Sequence, residues 1–497
     1  MNVFIKRFPV LIWCYILLIL AFICTLVFRN YFSLDEPNLA WDLQKGLSET
    51  AFKTKYISEG RPFDGLITIG FQTILDTLDK LKYMRIFTVL LIFLFCIQLF
   101  LFLKKSGLGK ELSFLTAILV FALPGFSVFI CWAECLSLIA ALLLSFLAGS
   151  LAAKAFSKYL NKPALPSGKN TAYLAGAVVL QVIAMLDYQS LALAFVLPGF
   201  ITLLLAGDIP ARNRFHFFLY FSFVFFLSIA VYYKVYLNLL DHYHMNMVSR
   251  GKIGDHAFAK LVWFKGILIE AGKLHLLLFK NKIISYFFCW IVTVFLIRDL
   301  IRKKFFDLFL LTAFIVMVIF PHLIIQESWG ASRNFTLIQI LLVLYLMIRI
   351  SELIPIRSAA FVGFCGLIFI GLMSFNISEG WIKAQVQDCE RLRAFVQTLP
   401  VLAGNDLEIE AVPPAWNFHE KNSPLKAYFD EFNDPLFLRR WPIEPGIKML
   451  YLQQHPGIPV ADIEKHIHLK IIPSINAYSP IEAGAIKHLW HLLHRHF

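Results

Sequence analysis

The chain has 497 residues, 59% of them hydrophobic and only 16% charged, with 50 Phe and a mean hydropathy of +0.69. That leaves too little polar surface for a soluble globule and defines an all-α polytopic membrane protein. The formal net charge of +13 does not mark a nucleic-acid binder, because Lys and Arg recur as short clusters between apolar runs and form no single patch or stripe.

Lys6 and Arg7 precede an apolar run from Phe8 to Phe28, long enough to cross a hydrocarbon core of about 30 Å at about 1.5 Å per residue. The run is too long for a signal-peptide core and no A-x-A-like site follows, so an uncleaved first span is expected. Arg29 to Gly65 is the only long polar stretch of the N-terminal part. Phe63 to Leu78 is apolar but interrupted by Asp64, Asp76 and Asp79, which suits an interfacial or re-entrant helix. Further spans are predicted near 86–103, 113–132, 135–153, 172–188, 190–206, 217–236, 284–297, 306–325, 335–349 and 359–376, eleven in all with the first. Between them, Leu237 to Lys282 mixes aromatic, apolar and charged residues and is expected to lie along the outer membrane surface.

From Ile377 the composition changes. A helix from Trp381 to Leu399, a strand-like DLEIEAV, a Pro- and Asn-rich region, a second strand-like HLKIIP and a closing helix from Ile481 to Phe497 predict a small α/β domain over 377–497, following a membrane domain over 1–376 with outer loops 29–85 and 237–283.

Alternation of eleven spans puts the clusters Lys6/Arg7, Lys104/Lys105/Lys110, Lys154/Lys158/Lys162/Lys169, Arg212/Arg214, Arg298/Arg302/Lys303/Lys304 and Arg349/Arg357 on one side, the cytoplasm. The opening loop, the 237–283 segment, the 326–334 loop and the C-terminal domain then lie outside. The candidate chemistry gathers on that outer face. Asp35 and Glu36 follow span one; two adjacent carboxylates there can supply a general base or hold a divalent cation, Mg2+ or Mn2+, by hard oxygen ligands. Asp42 sits on a short helix after them. In Gly60-Arg61-Pro62, Pro62 restricts the backbone of Arg61 and Gly60 permits a close approach, so a fixed guanidinium is offered either to a phosphate or to a loop acid such as Asp64. Glu134, Asp187 and Asp241 stand at span ends, where acids are also simply tolerated. Glu327 and Arg333 share the loop after the ninth span with Trp329, a sugar-stacking or headgroup-anchoring ring.

The order of an apolar span, Asp35-Glu36, a short helix ending in Gly46, then Gly60-Arg61-Pro62-Phe63 and a Gly-Leu-Ile run resembles the opening loop of the bacterial O-antigen glucosyltransferases of the GT-C superfamily. Glu36 and Asn38 stand where that pattern usually carries a second Asp and an Arg. The resemblance covers about 30 residues closely. It implies a GT-C-like inner-membrane enzyme that takes a sugar, glucose or another hexose, from a polyprenyl-phosphate carrier and adds it to a cell-surface glycan or lipopolysaccharide on the periplasmic side. Carried onto this chain, Asp35 would be the base, Glu36 would orient the acceptor or a cation, and Arg61 or Arg333 would stabilise the leaving phosphate. A lipid-linked saccharide flippase, and a polymerase or ligase using the same lipids, remain alternatives. No Walker A, GxGxxG, HExxH or GxSxG occurs. The histidines His488, His491 and His494 fit a basic amphipathic helix end better than a metal site. Seven of the eight cysteines lie in or beside apolar spans and Cys389 stands alone, so no disulfide framework emerges.

Overall fold

The computed structural model describes residues 19–32, 36–46, 49–70, 77–161, 168–248, 257–274, 276, 282–324, 332–354, 358–402, 406–411 and 440–471. The N-terminal half of the first expected span and the closing helix with its histidines lie outside the described residues. A helix over 19–27 (α1) leads into the opening loop, which holds α2 (Glu36–Gln44) and α3 (Pro62–Gly70). Next come α4 (Leu81–Lys105), α5 (Lys110–Phe121), α6 (Pro124–Cys131), α7 (Leu136–Asn161), α8 (Gly168–Asp187), α9 (Val196–Leu205) and α10 (Ala211–His242). The series continues with α11 (Ala257–Gly272), α12 (Lys282–Ile301), α13 (Phe305–Ile324), α14 (Ser332–Ser351) and α15 (Ala359–Ile377).

Helices thus occupy the described part of each segment expected as a span. Among the described residues, six are long and apolar enough to cross a membrane, or seven if the bent pair α5 and α6 counts as one; Gln189–Leu205 and Phe335–Ser351 are shorter apolar helices. One expectation needs correction. The 113–132 segment is not one straight span: it bends by 57° between α5 and α6. Leu123 is extended and Pro124 opens α6, because the proline ring disfavours a helical residue before it and lacks the N–H that would continue the ladder. In the 237–283 segment α10 runs on to His242 and α11 packs against α12, α13 and α14.

Close packing has local causes. A methyl group on Gly149 of α7 would lie 2.1 Å from the Phe195 carbonyl oxygen, so only glycine lets the turn before α9 touch α7. Gln181 of α8 donates from Nε2 to the Ala192 carbonyl at 2.7 Å, and Ser145 of α7 donates to Gln181 Oε1 at 2.8 Å. These bonds satisfy polar groups that lipid would leave without partners.

At the end carrying the basic clusters, charges read in the sequence as topology are also paired inside the bundle. Arg349 of α14 reaches Asp299 of α12 at 2.6 Å and Asp307 of α13 at 2.7 Å. Asp307 also pairs with Arg214 of α10, which donates to the Leu203 carbonyl at 2.8 Å, and Tyr345 donates to Asp299 at 2.8 Å. Arg349 joins three helices directly, and the Arg214 guanidinium adds the fourth through Asp307.

Beyond α15 the chain runs through a π-helical turn, Ser378–Ile382, into α16 (Lys383–Val396) without a break. The strand-like segments are strands: β1 (Leu407–Ala411) pairs in parallel with β2 (Ile467–Ile471), Leu407 opposite Ile467. Between them lie α17 (Arg440–Gln454), in a region expected to be irregular, and α18 (Val460–His466).

Removing the Arg349 guanidinium leaves Asp299 with the Tyr345 hydroxyl and Asp307 with Arg214, each short of a buried partner, so Arg349→Ala should lower stability by about 3–5 kcal/mol. Thermal unfolding of the purified protein in detergent measures this; an unchanged midpoint would contradict the shared role of Arg349.

Candidate active site at the opening loop

The opening loop enters the bundle through Glu36, the first residue of α2. Glu36 and Arg85 of α4 are both 0% exposed and pair at 2.6 Å. The other carboxylate oxygen of Glu36 accepts the Ala133 N–H at 2.5 Å. Arg85 also donates to the Tyr31 carbonyl at 2.8 Å and stacks 3.7 Å from the Tyr31 ring, and the Tyr31 hydroxyl donates to the Cys131 carbonyl at 3.0 Å. Glu36, expected as a catalytic or metal-binding carboxylate, thus stands in a buried ion pair. Both its oxygens are engaged, and a guanidinium in contact with it repels a cation. Asp35 lies outside the described residues. Among the described residues no group of three or more His, Cys, Asp or Glu is placed to hold a metal ion.

A cavity of about 300 Å3 opens beside this anchor. Its wall includes Asn38 and Leu39 of α2, Lys55, Glu59 and Arg61 of the loop, Asp64 of α3, Trp132 and Glu134 from the turn between α6 and α7, and Tyr188 after α8. Arg61 and Glu134 were expected in the site; Lys55, Glu59, Trp132 and Tyr188 were not, and Asp64 was expected only as a partner of Arg61. Asp187, 2% exposed, ends α8 next to Tyr188; among the described residues its Oδ1 has no hydrogen-bond partner, and it lies near enough to Asp64 and Arg61 to interact electrostatically. Asp42 sits on α2, paired with Lys45 at 3.5 Å, and its charge reaches Lys55. Glu327 lies outside the described residues, and α14 carries Arg333 in its first turn.

The Gly-Arg-Pro turn is held from several directions. Gly60 has a φ of +74°, and a methyl group there would meet the Tyr232 hydroxyl at 2.5 Å. Gln189 donates to the carbonyls of Glu59 and Gly60 at 3.0 and 3.1 Å, and Tyr236 donates to Ser58 O at 2.5 Å. Pro62 opens α3, where its missing N–H costs nothing. The fixed Arg61 guanidinium pairs with Glu59, lies 3.5 Å from Asp64 and stands 5.3 Å from the Tyr188 ring centre.

Burial pushes the Asp64 carboxyl above its usual range, opposed by Arg61, a Ser137 hydrogen bond and Lys55. Lys55 is exposed at the cavity mouth. Desolvation works against its charge, but Glu134, Tyr56, Asp42 and Asp64 outweigh it and hold the ammonium above its usual range. The wall thus combines carboxylates, one compensated guanidinium, one charged ammonium and three flat rings, those of Tyr56, Trp132 and Tyr188. Such a set can hydrogen-bond sugar hydroxyls, accept a proton and compensate an anion.

Compared with known proteins, the chain matches no family model, and no curated protein or solved structure shows significant similarity.

Gly60→Ala combines a positive φ with a clash, so it should loosen the turn by about 1–3 kcal/mol; faster hydrogen exchange over 56–64 would show it. For Asp64, a native pKa above the unfolded value means that folding favours the protonated acid. Its contribution is full below the usual carboxylate range and is lost as pH rises through the raised native value. Asp64→Asn should therefore flatten the pH dependence of unfolding across that interval, and an unaltered profile would count against the burial effect.

Proposed function

We propose that the protein is a membrane glycosyltransferase of GT-C type, moving a hexose from a polyprenyl-phosphate carrier to a cell-surface glycan or lipopolysaccharide. The observation that carries this reading is the loop cavity, with carboxylates and aromatic rings on its wall and a charged lysine at its mouth. In this reading eleven spans cross the bacterial inner membrane, the N-terminus is cytoplasmic and the C-terminal segment is periplasmic.

A carboxylate removes the proton of the acceptor hydroxyl, whose oxygen attacks the sugar C1. The bond from C1 to the phosphate oxygen breaks, and its electron pair leaves with the lipid phosphate. Glu134 is the described wall acid assigned as base; Asp35, the base implied by the resemblance, is the neighbour of anchored Glu36. Lys55 and Arg61 compensate the phosphate, and Trp132 and Tyr188 present flat faces to the sugar.

A lipid-linked saccharide flippase is the second reading, favoured by ionisable residues inside the bundle. Arg214, Asp299, Asp307 and Arg349 nevertheless pair with one another across helices, which suits a fixed clamp better than a moving pathway.

Mass spectrometry of surface glycans distinguishes the readings in cells with the intact chain, without it, and with Glu134→Gln, Asp35→Asn or Arg61→Ala at matched expression. Loss of the base should cut transfer by about 100-fold or more. A glycan mass unchanged on deletion would oppose the transferase reading; full activity in both acid variants would overturn the base assignment.

A further inference from the structure

The C-terminal segment does not stand apart from the opening loop. Trp41 of α2 is buried and donates from Nε1 to Glu464 of α18 at 2.8 Å. The same carboxylate accepts from Lys448 of α17 at 3.0 Å and lies 3.7 Å from Lys45 just beyond α2. Lys448 is shared with Glu444 at 2.9 Å. α2 packs along α17, and the Phe32 ring closes on Gly446, within 3.4 Å of where a Cβ would stand. Burial works to raise the Glu464 carboxyl, but Lys448, Trp41 and Lys45 outweigh it and hold it below its usual range.

α2 therefore lies between the C-terminal segment and the cavity to which it supplies Asn38 and Leu39. We propose that the C-terminal segment is a positioning cradle for α2, with Glu464 as its central positioning residue, so that the cavity wall takes its working shape only while α18 holds Trp41. This rests on the transferase reading for its catalytic consequence, but not for its structural one. Glu464 touches no reacting atom. It joins an indole donor on the loop to an ammonium on the C-terminal side, and a helix of only nine residues gains a fixed orientation from that bond.

The test uses the full chain in lipid nanodiscs and compares Glu464→Leu, Glu464→Gln and Trp41→Phe by hydrogen exchange and steady-state sugar transfer. Glu464→Leu should speed exchange over 36–44 while exchange in α7 and α8 stays unchanged, and should lower kcat about 10- to 100-fold with KM little altered. Glu464→Gln keeps an acceptor for the Trp41 indole and should recover most of both losses. Unchanged exchange over 36–44 in Glu464→Leu and Trp41→Phe would overturn the cradle. Faster exchange with unchanged kcat in an otherwise active enzyme would overturn the positioning role. If the intact chain transfers no sugar, the transferase reading fails, and local loosening of α2 still supports the cradle.

Discussion

The buried pair between Glu36 and Arg85 is the constraint on which the outer half of the molecule depends. Placing two charges in an apolar bundle costs several kcal/mol for each ion unless geometry and further hydrogen bonds compensate. Here the compensation comes from three directions: the Ala133 N–H on the carboxylate, and the Tyr31 carbonyl and ring on the guanidinium. Each contact also fixes a piece of backbone. Ala133 begins the turn that presents Glu134, and Glu36 begins the helix that presents Asn38 and Leu39. One ion pair thus sets the relative position of two cavity walls that are about a hundred residues apart in the chain.

Charge is distributed unevenly over the cavity. Arg61 is compensated by Glu59 and Asp64, whereas Lys55 sits exposed at the mouth within the field of Glu134, Asp42 and Asp64. The interior is consequently acidic and the rim carries the available positive charge. A neutral polyol fits the interior, where carboxylates accept its hydroxyl hydrogens, and an anionic group fits the rim. In the proposed transferase that ordering would seat the sugar inside and its phosphate at the mouth, where a lower dielectric than bulk water strengthens each contact.

Much of this was legible because the bilayer forces helices into long apolar runs and because Gly, Arg and Pro have strong local preferences. Helices fall where the apolar runs predict them, the Gly60 turn takes a positive φ, and the two strand-like segments pair. The role of Glu36 was not legible. Its partner Arg85 lies 49 residues on, just before the span expected near 86–103. Adjacent carboxylates suggest a shared task, but the backbone of a helix start turns one inward irrespective of the other. Lys55 and Glu59 were hidden for a related reason: the π-helical turn Lys53–Ile57 alters the angular spacing that a helical or extended reading would use. Arg349 looked like a topological charge because its acidic partners come from two other helices.

The continuity from α15 into α16 explains how a segment outside the bundle can act on the loop. Cys389 and Arg393 are four residues apart and share one face of α16. Phe32, at the start of the opening loop, donates its N–H to Cys389 Sγ at 3.3 Å, and Asp79, at the loop's end, pairs with Arg393 at 2.7 Å. Arg393 also donates to the Asn30 carbonyl at 3.1 Å. Both ends of a loop of nearly fifty residues are therefore tied to a single helical turn. Closing a chain of that length costs entropy that grows only slowly with its length, so two ties at one place recover most of what a rigid loop would need. The sequence between them is left to form the cavity, while its ends move only if α16 moves with them.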